Sequence, residues 1–173
     1  PLAPFGNRIP QFSVEVIRPN GDAESLENTL RAITLIPSAG EFVYSTDQVT
    51  RSGGEGATVS ENVHSKASTP NIVVALDQLQ ASLPKIESVS LVVSWFGSDL
   101  RADACIVKPG VEIGFKETEP LQWSVSGLSR EDAPVVSQAG GKPAFGGTPS
   151  DDTVDRSNAR STSVNSSSRT VPG

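Results

Sequence analysis

Residues 89–96 read Val-Ser-Leu-Val-Val-Ser-Trp-Phe, and this run constrains the fold more than any other part of the chain. Only Ser90 and Ser94 interrupt a succession of β-branched, leucine and aromatic side chains. Such a run suits a strand covered on both faces, as in a parallel α/β sheet. The segment before it reads as a helix. Thr69 and Pro70 open it as cap and first-turn proline. Ile72, Leu76, Leu79 and Leu83 then fall on one apolar stripe, and Pro84 stops it. Gly97-Ser98-Asp99-Leu100-Arg101 leaves the strand at its carboxyl end. Parallel architectures collect ligands and chemistry there.

The flanking chain gives weaker cues. Residues 1–10 read as irregular. Phe12, Val14 and Val16 alternate with polar neighbours, so residues 11–17 read as a half-buried strand ended by a Pro19-Asn20-Gly21-Asp22 turn. Leu26, Leu30 and Ile33, with Asp22 as cap and Glu24 and Glu27 in the first turns, predict a helix of roughly ten residues. Phe42-Val43-Tyr44 reads as a short strand. Residues 45–69 read as a long polar loop. Its Gly53, Gly54 and Gly56 lack the lysine and spacing of a phosphate loop, and His64 has no partner spacing for a metal site or a triad. Short β-like pieces follow at 105–107, 111–113, 123–125 and 134–136, then a glycine-dense loop over 140–147.

Thr148-Pro149-Ser150-Asp151 announces another helix with a cap, a first-turn proline and an acid. The positions that should then be apolar are Ser157, Asn158 and Ser161. Residues 155–173 are therefore expected to be a disordered, Ser-rich tail, because they bury too little to offset chain entropy. The mismatch between cue and sequence suggests a truncation or an altered reading frame, and the absence of methionine fits a processed or internal piece.

Composition excludes several classes. Lys and Arg number 14 against 20 Asp and Glu, a net charge of −6, which argues against general nucleic-acid or membrane-surface binding. One cysteine, Cys105, and one histidine offer neither a disulfide nor a structural zinc site, so no metal or cofactor is expected. No apolar run approaches the ~18–20 residues of a membrane span.

Several strings together resemble one family. These are Phe5-Gly6-Asn7-Arg8-Ile9-Pro10-Gln11-Phe12, Leu76-Asp77-Gln78-Leu79, the run from Glu87 to Gly97, Asp99-Leu100-Arg101, Lys108-Pro109-Gly110-Val111-Glu112 and Gly147-Thr148-Pro149-Ser150-Asp151. In this order they resemble the large baseplate, or host-specificity, tail protein of gene transfer agents, over roughly residues 5–154. The resemblance implies a mixed α/β fold: the truncated start of a TIM-barrel-like, glycoside-hydrolase-like domain with a hairpin-rich insertion, preceded by the end of a tail-hub domain. Residues 1–45 would end the hub domain and 46–69 would be a flexible linker. Residues 70–154 would be the first βα portion of the barrel. A full barrel needs roughly 250 residues, so this chain could not close one, and the 89–96 strand is expected to lack parallel neighbours.

The implied role is structural: a virion component of a phage-like tail, engaging other baseplate subunits and envelope glycan during DNA delivery. The alternative is a hydrolase acting on envelope polysaccharide or peptidoglycan. Asp99 is the catalytic candidate for it, and Trp95, Asp99 and Arg101 are the candidate substrate-binding residues. Glycosidases need two carboxylates about 5–9.5 Å apart, and no spacing pairs Asp99 with Asp103 or Glu112. The plainer readings are an Asp99–Arg101 ion pair, Trp95 as core, and Cys105 as an inert buried thiol. A third option is a free-standing β-rich binding module over 85–147.

Overall fold

A computed structural model describes residues 21–36, 40–65 and 68–167. The expected irregular start, the 11–17 strand and the last six residues of the tail lie outside the described residues. The fold is mixed α and β. Its elements are α1 (Leu26–Thr29), β1 (Ala32–Leu35), β2 (Thr50–Gly54), β3 (Ala57–Ser60), α2 (Asn71–Ser82), β4 (Ser88–Leu91), β5 (Phe96–Gly97), β6 (Val107–Lys108), β7 (Thr118–Glu119), β8 (Ser124–Val125), β9 (Leu128–Ser129), β10 (Gln138–Ala139), β11 (Lys142–Pro143) and α3 (Asp151–Ser167).

The organising unit is β1–α2–β4. β1 and β4 run parallel, with Ile33 opposite Val89 and Leu35 opposite Leu91. The helix predicted from Asp22 to Ile33 stops at Thr29, and Ile33 lies in β1. Helical spacing is a weak prior, and pairing with β4 overrides it. The expectation that the 89–96 strand lacks a parallel neighbour is corrected by the same pairing. Ile33, Leu35, Val89 and Leu91 are half-buried, while Ala32, Thr34, Ser88 and Ser90 are exposed. The sheet is thus covered on one face, not two. Leu35 and Leu91 pack with Ile72 and Leu76 of α2 and with Val43 and Tyr44. No barrel is closed among the described residues, where β1 and β4 form a two-stranded sheet.

Phe42-Val43-Tyr44 is a turn rather than a strand, and all three side chains are buried. The turn divides its residues between two cores. Val43 and Tyr44 join the α2 core, and Phe42 joins Val49, Val111, Leu121, Trp123, Val125 and Ala133. A strand could not aim consecutive residues this way, since it alternates between only two faces. The polar 46–69 segment, expected as a flexible linker, carries the β2–β3 hairpin. Gly54, Glu55 and Gly56 take left-handed φ angles of 85°, 50° and 79°, so two of the glycines there serve a tight turn. β2 also pairs with β7, which ties the hairpin into the second core.

The helix announced with Thr148 as cap and Pro149 as first residue begins two residues later, at Asp151, and Thr148 and Pro149 precede it rather than cap it; Ser150 O accepts from Thr153 N at 3.0 Å and from Thr153 Oγ1 at 2.7 Å. The tail expected to be loose from residue 155 is helical through Ser167. Val154 packs on the α2 core, Thr153 and Ser157 are buried, and Arg160 reaches Asp77 of α2 at 2.9 Å.

Candidate functional site

The residues singled out by the sequence form no common site. Asp99 accepts hydrogen bonds from Arg101 N at 2.8 Å, Nε at 3.1 Å and Nη2 at 2.9 Å. The bonds from Arg101 hold the Asp99 carboxyl below its ordinary value, and Asp99 in turn raises Arg101. Asp99 is thus held in its ionised form, which is not the form that donates a proton. The clamp leaves Leu100 fully exposed between its two partners. Trp95 is 43% exposed and lines a cleft of about 370 Å³ with Val93, Val125 and Val154, which Asp99 does not reach. Its expected core position is therefore corrected: the Trp buried in the core is Trp123. Cys105 is half-buried beside Gly97, where a Cβ would lie 2.8 Å from the thiol sulfur.

The strongest constellation is a buried ionic knot that sequence reading missed. Glu41, at the start of the 41–44 turn, is wholly buried. Arg130 Nη2 meets Glu41 Oε2 at 2.6 Å, and Arg130 Nη1 meets Oε1 at 3.0 Å, a bidentate pair. Lys116 Nζ lies 2.7 Å from Glu41, 2.8 Å from Glu61 and 3.0 Å from Glu112. Arg51 of β2 closes the outer side on Glu61 at 2.7 Å. The cations rest on aromatic faces: Lys116 Nζ is 5.8 Å from the Phe42 ring centre, and the Arg130 guanidinium 5.9 Å from that of Trp123.

Backbone geometry holds the knot together. The Glu112 amide donates to Glu41 Oε1 at 2.7 Å, and Arg130 Nη1 donates to the Ile113 carbonyl at 2.9 Å. Ser150 N donates to the Glu41 carbonyl at 2.8 Å, which fixes the start of α3. Gly147 passes so close that a Cβ would lie 2.7 Å from Glu41 Cγ and 2.9 Å from the Gly110 carbonyl oxygen. One glycine of the 140–147 loop is thus required by close approach. Trp123 Nε1 donates to the Thr148 carbonyl at 2.8 Å, and Thr148 Oγ1 donates to the Ser94 carbonyl at 2.8 Å. The second core is thereby joined to the end of the β4 segment.

Burial pushes the Glu41 carboxyl upward, but the Arg130 hydrogen bonds and the Lys116 charge outweigh it, so its pKa falls below the ordinary value. Burial likewise pushes Lys116 down, and the carboxylates around it, Glu41 foremost, raise it overall. Both groups stay charged, so the arrangement holds segments together rather than transferring a proton. The Glu41, Glu61 and Glu112 oxygens lie within 4.8 Å of one another, a donor set of the kind that suits an oxygen-seeking cation. Lys116 Nζ sits where they converge, so these donors already hold an ammonium. The partners stand up to 89 residues apart, and no spacing pattern could have found them. The one local signal is Glu41 directly beside the Phe42-Val43-Tyr44 run.

A cleft of about 590 Å³ opens beside the knot, lined by Arg51, Phe115, Lys116, Glu117, Glu119 and Glu131 among others. No protein-family model matches the chain, and no curated protein matches it. No helix of the described residues is long and apolar enough to cross a membrane.

Proposed function

We propose that the chain is a structural assembly module of a phage-like tail baseplate, as its resemblance to the host-specificity tail proteins implies, and that it works by docking rather than by turnover. The observation that carries this reading is the outer edge of β4. Ser88 N and Val92 N donate to Arg31 and Leu35 carbonyls of the β1 segment at 3.0 and 3.2 Å. In a parallel ladder the intervening residues then point their backbone groups the other way. No described strand pairs with them. The segment continues into Val92, Val93 and Trp95, exposed by 39%, 44% and 43%. Between Ser88 and Trp95 it carries neither the charge nor the proline that shields most solvent-facing edges. An unshielded edge followed by exposed apolar residues fits a surface that a neighbouring subunit completes.

The rest of the molecule supports docking over catalysis. The buried Glu41 carboxylate is neutralised by Lys116 and Arg130, and Asp99 is paired with Arg101. The 85–147 module is not self-contained, because Phe42, Val49 and Glu41 contribute to its core and its ionic knot. Two experiments test the reading. Cross-linking mass spectrometry on the tagged chain, expressed with a tail gene cluster, should link Lys85 or Lys108 to a tail subunit; links to none would contradict docking. Reducing-sugar release from peptidoglycan should stay at background. Turnover abolished by Asp99→Ala would replace this reading with the hydrolase.

A further inference from the structure

We draw no further inference here: the strongest candidate, the cleft beside the ionic knot rimmed by Phe115, Glu117, Glu119 and Glu131, carries nothing, because its cations are already paired with buried carboxylates and the remaining exposed acids have no second feature that points to a ligand.

Discussion

Glu41→Gln isolates the ionic knot. The substitution keeps the side chain's volume and removes its charge, leaving Lys116 and Arg130 about nine-tenths buried or more and facing an amide. Lys116 retains Glu61 and Glu112, whereas Arg130 loses its only carboxylate partner among the described residues. Breaking a buried pair from one side costs about 3–5 kcal/mol. For a chain of this size that corresponds to a Tm loss on the order of 6–20 °C. Urea unfolding followed by circular dichroism reads the change directly, with the slope of the transition checking that two-state behaviour survives. Lys116→Met should cost a similar amount. Because the two residues touch, the double variant should depart from additivity by about 0.5–3 kcal/mol. A Glu41→Gln loss under about 1 kcal/mol, typical of exposed pairs, would refute the claim that the knot holds these segments together.

Stability should also depend on pH in two windows. Glu41 is depressed on folding, so its contribution is complete above its unfolded value and disappears as pH falls through the folded one; Lys116 is raised, so its contribution is complete below its unfolded value and disappears as pH rises through the folded one. Urea midpoints across pH should therefore show a plateau with losses at both ends, and Glu41→Gln should flatten the acid limb; an unchanged acid limb would contradict the assignment. Gly147→Ala places a methyl against Glu41 and the Gly110 carbonyl and should destabilise by about 1–3 kcal/mol in the same assay, whereas an unchanged midpoint would mean the loop yields freely. Trp123→Phe keeps an aromatic ring but removes the indole N–H, strands the buried Thr148 carbonyl and leaves unfilled volume, and should cost at least about 1–3 kcal/mol. In that variant the remaining fluorophore, Trp95, should be readily quenched by acrylamide, and a shielded Trp95 would count against its exposure.

The sequence carried the elements with strong local grammar. The α2 stripe of Ile72, Leu76 and Leu79 is where its pattern puts it, and α2 and α3 begin within one or two residues of their cap and proline cues, at Asn71 and Asp151, because such signals act over a few residues. What escaped depends on distant partners. Ile33 fits a helix by spacing until β4 supplies a ladder. Residues 46–69 look like a linker until β7 pairs with β2. The candidate site was the least legible part. Asp99 and Arg101 find each other locally and hold each other, as their spacing of two allows. Glu41, Glu61, Lys116 and Arg130 look like ordinary surface charges in the sequence, and only the fold brings them into one buried cluster.

Amide hydrogen exchange along β4, resolved residue by residue by NMR, tests the assembly reading most directly. With the outer edge open, the Val92 amide, bonded to the Leu35 carbonyl, should be protected, while those of Leu91 and Val93 should exchange orders of magnitude faster. Equal protection on odd and even residues of the free chain would mean that the edge is already paired within the molecule, and would contradict the account.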